Sequence, residues 1–219
     1  MSSLILNFHG IGPTPRTIDH GEYNCWLDQD FFEAILDLVR GQPQVQLTFD
    51  DGNASDVEIA LPMLLQRGLK ATFFVCTGRL DQPTFLSQSQ LRNLITQGMG
   101  IGSHGVNHLA WRHLSTAKLI EETTDSKNAI ESLGGIEVNR AACPFGSYDR
   151  RVLTTLRTAG YRFVYTSDGG ASSLEQRLQA RNTVTRSTRL ETIQTLIQRG
   201  PGVCIQSLIN ARKFLKRLR

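Results

Sequence analysis

The strongest constraint on this chain is a regular alternation between short apolar runs and longer amphipathic segments. The runs "LILNF" (4–8), "VQLTF" (45–49), "KATFFVC" (70–76), "MGIGS" (99–103), "NRAAC" (139–143), "RFVYTS" (162–167) and "GVCIQS" (202–207) read as strands by length and residue preference. Between and after them, 27–40, 54–68, 86–98, 115–134, 149–160, 190–200 and 208–219 read as helices. Asp28 stands where a helix N-cap belongs, and Gly68 where a C-terminal stop belongs. Alternating strands and helices bury their apolar faces as a parallel sheet covered by helices. About seven such units, with no linker, fixed-period repeat or low-complexity tract, predict a single α/β domain over 1–219, a distorted (β/α) barrel. The polar stretch 169–189 breaks the rhythm and reads as a long loop.

Composition narrows the function classes. Apolar residues make up 40% and charged residues 20% of the chain, the balance of a globular domain. A net charge of +4 without a clustered basic face predicts no nucleic-acid partner. Cys25, Cys76, Cys143 and Cys204 are widely separated with no C-x-x-C pair, which suits buried free thiols in a reducing compartment. The start "MSSLILNFHG" shows neither a basic leader region nor a cleavage site, and no apolar run has membrane-spanning length. The expected location is cytoplasmic.

The stretch "TFDDG" (48–52) ends a buried-looking strand with two adjacent carboxylates. Such a pair repels itself and is costly to desolvate, so a cation should lie nearby. In a barrel of this kind the chemistry sits at the carboxyl ends of the strands. The predicted strand ends carry His9, then Asp50 and Asp51, then His104 and His108, then "CPFGSYD", then Asp168. His104 and His108 are spaced to share one face if the segment winds into a helical turn. Two imidazoles and a carboxylate make a metal set that leaves positions open for water and substrate.

With these residues together, the chain resembles the polysaccharide deacetylase family, the NodB-homology or carbohydrate esterase family 4 group. Its first motif, TFDDG, is matched letter for letter, and its second, H-(S/T)-x-x-H, in both histidines, with Gly105 where Ser or Thr is usual. "TFFV" (72–75) is similar to the strand that follows the first motif. The resemblance implies a distorted barrel in which Asp50 is the general base and Asp51, His104 and His108 hold a divalent ion, zinc first. Of the third motif, R-x-P-x-G, Pro144 and Gly146 remain around Phe145, while Ala142 takes the arginine position. Arg140, on the same face of an extended strand, is the nearest replacement. Asp168 stands near the fourth motif without its Trp. The Leu-x-His of the fifth is missing, since "GVCIQS" ends in Gln206 and Ser207. His9 ranks first among the remaining histidines as general acid.

The implied reaction is metal-assisted hydrolysis of an N-acetyl group on an amino sugar of an oligosaccharide, polysaccharide or glycolipid precursor. Pro144, Phe145, Gly146, Trp111 and Asp168 are candidates for contact with that substrate. A catalytically weak, metal-binding carbohydrate-recognition relative is the alternative reading. The basic amphipathic end "ARKFLKRLR" suits weak contact with an anionic membrane surface.

Overall fold

In the computed structural model, residues 2–218 are described, without the side chains of Ser2, Val203 and Cys204. The expectations for Cys204 and for the Arg219 charge therefore lie outside the described residues. Strands β1 (Ser2–Phe8), β2 (Val45–Phe49), β3 (Ala71–Val75), β4 (Gly100–Ser103), β5 (Arg140–Ala142) and β6 (Phe163–Thr166) pair in that order, all parallel. Helices α1 (His20–Cys25) and α2 (Gln29–Val39) follow β1, α3 (Leu61–Gln66) follows β2, and α4 (Gln88–Thr96) follows β3. Then α5 (Thr116–Ile120) and α6 (Ser126–Gly134) follow β4, and α7 (Arg150–Thr158) follows β5. After the last strands come α8 (Leu190–Arg199) and α9 (Val203–Leu218).

Two expectations are corrected. The stretch 169–189 is not a loop; it holds β7 (Ala171–Ser173), β8 (Leu178–Ala180) and β9 (Asn182–Thr183). The first pairs antiparallel with β1, the second parallel with β6, and the third parallel with β1. One extended segment therefore bonds β6 with its first half and β1 with its second, and Arg181 lies at the crossover. That segment closes the sheet into a barrel. Strands of two or three residues carry no apolar run, so periodicity had nothing to detect. The second correction concerns "GVCIQS": it starts helix α9 instead of forming a strand. With the seam already filled by 178–183 and β7, a further parallel strand has no edge to join.

Helix details follow local chemistry. Asp28 has N-cap dihedrals but makes no side-chain cap bond, and its carboxylate pairs with Arg186 at 3.3 Å instead. The helix predicted over 54–68 opens with a π turn at Asp56–Ala60, and Pro62 follows in the first turn of α3, where a missing N–H is tolerated.

Alternation along the strands divides two cores. Leu4, Leu6, Phe8, Leu47, Phe49 and Phe73 face the helices, while Ile5, Phe74, Ala142 and Tyr165 pack inside the barrel. Phe74 fills the space left by β4, whose interior positions are Gly100 and Gly102. A Cβ on Gly102 would lie 2.4 Å from the Phe74 ring and 2.9 Å from the Arg140 carbonyl. Gly102→Ala is expected to cost about 1–3 kcal/mol by overpacking, read as a lower urea midpoint with an unchanged slope. An unchanged midpoint would mean the barrel interior has slack.

Candidate active site

Thr48 and Asp50 share the interior face of β2 with its neighbour's Asn7, and the Thr48 hydroxyl donates to Asn7 Oδ1 at 2.7 Å. Asp51 then adopts a φ of 79° and Gly52 one of 72°, which turns the chain away at the barrel mouth. Asp51 Oδ1 lies 3.2 Å from His108 Nε2 and 3.8 Å from His104 Nε2. Left-handed backbone costs a non-glycine residue about 1–2 kcal/mol. Among the described residues, Asp51, Asp81, Thr84, His108 and Phe145 adopt it. Three of these meet at one point, so backbone strain concentrates where the sequence places the metal set.

The two histidines do not share a helical turn as expected; a loop brings them together. Glu122 holds that loop from a π turn, Glu121–Asp125, between α5 and α6. Its carboxylate accepts from the Val106 and Asn107 backbone N–H groups at 3.0 Å and from Asn107 Nδ2 at 2.7 Å. Gly105, at a φ of 85°, is the residue that departs from the usual Ser or Thr. A Cβ there would lie 2.7 Å from Glu122 Oε2 and 3.2 Å from Trp111 Nε1. The glycine thus accommodates the carboxylate that braces the loop. Trp111 is fully buried behind it, out of reach of a sugar.

Both imidazoles are prepared as ligands. His104 Nδ1 lies 2.9 Å from the Ala142 carbonyl, which can only accept, so Nδ1 carries the proton and Nε2 presents its lone pair. Burial lowers the His104 pKa. Burial and the neighbouring His104 push His108 down to about 4. Two neutral imidazoles at neutral pH are what metal ligation requires.

The other carboxylate is held differently. Arg181 Nη1 donates to Asp50 Oδ1 at 2.6 Å and Nη2 to Oδ2 at 2.7 Å. Asn7 Nδ2 donates to Oδ2 at 3.0 Å, and Arg181 Nη1 also reaches Asn7 Oδ1 at 2.7 Å. Burial opposes ionisation of Asp50, but the Arg181 guanidinium outweighs it and holds the carboxyl well below the usual range. Arg181 therefore supplies the guanidinium missing at Ala142. Arg140 does not; it lines a separate hollow with Gln46 and Gln179. Sequence reading missed both partners. Asn7 left one trace, a polar residue inside "LILNF". Arg181 left none, because its strand was invisible.

The remaining candidates separate. His9 follows β1 directly, and its Nδ1 is buried without a hydrogen-bond partner. Phe145, at a φ of 56° between buried Pro144 and Gly146, is 70% exposed, with its ring centroid 4.5 Å from that of His108. It forms the rim. Asp168 is not free for substrate. It accepts from Tyr148 Oη at 2.7 Å, Thr166 Oγ1 at 2.9 Å and Lys216 Nζ at 2.6 Å.

The Asp51, His104 and His108 ligand atoms all lie within 4.8 Å of one another. Two ligands each about 2.0–2.1 Å from a tetrahedral cation sit about 3.3 Å apart; the Asp51–His108 separation of 3.2 Å matches this, and the Asp51–His104 separation of 3.8 Å is wider. Asp51 Oδ1 is buried without a hydrogen-bond donor. The donor set fits a divalent cation.

Residues 38–164, more than half of the chain, match the family model described as polysaccharide deacetylase. The YxkH protein of Bacillus subtilis is 29% identical over 136 residues, which make up 62% of this chain and 49% of that protein. The chain thus spans about half the length of that relative. A chitooligosaccharide deacetylase of Sinorhizobium fredii is 27% identical over 63% of each chain. A peptidoglycan-N-acetylglucosamine deacetylase of Bacillus cereus is 30% identical over 55% of this chain and 54% of its own. The fold matches the deacetylase PplD of Streptococcus pyogenes with a TM-score of 0.79 at 22% identity, over 90% of this chain and 99% of the other.

Removing one partner of a buried ion pair costs about 3–5 kcal/mol, because the other charge stays uncompensated. Arg181→Met is expected to lose that much in urea unfolding, and the Asp50→Asn/Arg181→Met double variant less than the sum of the singles. Additive losses would mean that Arg181 does not compensate Asp50.

Proposed function

Because the chain belongs to the polysaccharide deacetylase family, we propose that it hydrolyses N-acetyl groups from an amino sugar at the Asp51–His104–His108 centre. The observation that carries this reading is the division of labour between adjacent carboxylates. Asp51 Oδ1 faces both imidazoles and makes no hydrogen bond, with Arg79 Nη1 at 3.5 Å as an ion-pair partner, while Asp50 is ionised, clamped by Arg181 and Asn7, and 3.8 Å from His104 Nε2. A protein that only bound the sugar would need no such clamped carboxylate beside the ligands.

Asp51, His104 and His108 would hold the cation, and two nitrogens with one oxygen suit zinc. A bound divalent ion supplies polarisation of the acetyl carbonyl and brings the acidity of water into the neutral range. Asp50 takes the proton that the attacking water gives up. Its bidentate pairing with Arg181 fixes the carboxylate's orientation and keeps it ionised, ready to accept, at the cost of lowering its basicity. The departing amine needs a proton, and His9, at the carboxyl end of β1 with a buried, unpartnered Nδ1, is the residue assigned to supply it. Phe145 offers an apolar face at the rim for the sugar ring. Acetate and a free amino sugar leave. The activities in the names of the chitooligosaccharide and peptidoglycan relatives support an N-acetylated amino sugar as the substrate class.

Metal content tests the centre. After zinc loading and desalting, about one ion per chain is expected in the wild type and none in His108→Ala; an equal content in both would move the ion elsewhere. Activity tests the proton transfers. On N-acetylated chitooligosaccharides, Asp50→Asn and His9→Gln should each lower kcat by about 10²–10⁴ with zinc content unchanged. An aryl acetate, whose leaving group needs no proton, should be insensitive to His9→Gln. Equal loss on both substrates would remove His9 from the acid role.

A further inference from the structure

Helix α9 is packed inside out. Gln206, Ile209, Lys213 and Lys216 recur at helical spacing on the face turned to the domain. That face is held by polar contacts: Gln206 Oε1 accepts from the Ala171 backbone at 3.0 Å, and Lys216 Nζ donates to Asp168 at 2.6 Å and to the Gly146 carbonyl at 3.3 Å. The opposite face presents Leu208, Ala211, Leu215 and Leu218, with Phe214 beside them, to solvent. Leu208 is 72% exposed and Leu218 is 63% exposed. An exposed apolar row of this kind marks an interaction surface.

We propose that this face docks the protein onto an anionic lipid bilayer. Charge selects the occupant. Arg212 and Arg217 are exposed at the edges of the row, and the stretch 192–219 contains no Asp or Glu. Apolar side chains flanked by cations fit the boundary between acyl chains and anionic headgroups. A second copy fits worse, since a self-complementary contact would set these arginines against their own copies with no carboxylate between them. The bond from Lys216 to Gly146 places the end of α9 beside Phe145 and the site mouth. An amino sugar carried on a lipid would then be presented to that mouth; this corollary rests on the deacetylase reading, whereas surface binding does not.

The test is sedimentation of the full chain with vesicles of phosphatidylcholine alone or mixed with phosphatidylglycerol. The protein should sediment with the anionic vesicles only, and less as salt is raised. Arg212→Gln with Arg217→Gln should weaken binding about 30-fold. Leu208→Ser with Leu215→Ser should weaken it as well, and unfolding midpoints would confirm that both double variants stay folded. Binding equal to wild type in both, or no preference for anionic vesicles, would overturn the proposal. So would a wild-type dimer in solution that Leu208→Ser with Leu215→Ser dissociates, because a second copy would then cover the face. Neither zinc nor turnover enters the readout, so an inactive enzyme that binds vesicles, or an active one that does not, tells the two proposals apart.

Discussion

The ion pair between Asp50 and Arg181 joins the two halves of this molecule's logic. Asp50 comes from the most legible motif in the chain, and Arg181 from the short segment that closes the barrel. Both are buried, so each is costly without the other. The guanidinium carbon of Arg181 lies 5.3 Å from the Phe74 ring centroid, which ties the pair to the packed barrel interior. Barrel closure, interior packing and the charge state of the carboxylate are therefore one arrangement.

The two adjacent carboxylates of the motif end in opposite environments. Asp50 continues the strand's alternation and meets a fixed donor from the protein. Asp51 breaks into left-handed backbone and meets two neutral imidazoles, with Arg79 at 3.5 Å in place of a bidentate clamp. Environment, not residue type, sets the two carboxylates apart. The same economy explains Gly105: the histidine loop is braced from outside by Glu122, and a larger residue would occupy the space of that brace.

Much of this was legible in the sequence. Six parallel strands were visible because each buried strand needs an apolar run, and the cluster of Asp51, His104 and His108 was visible because ligand types recur at strand ends. The failures have a common physical cause. The segment "LQARNT" owes its structure to hydrogen bonds with two different neighbours, not to its own residues, so local pattern could not show it. "GVCIQS" has the residue preference of a strand and becomes helical because tertiary context overrides propensity. The histidine pair had ligand spacing, but a left-handed residue and a distant glutamate create its geometry, and spacing records neither.

The seam has a consequence in time. Residues 50 and 181 are separated by 131 positions, so their contact ranks among the costly long-range closures of the chain. A chain emerging from the ribosome carries Asp50 well before the guanidinium that pairs with it has been made. Asp50 stays without its guanidinium partner until the six-residue segment 178–183 has docked against β6 and β1.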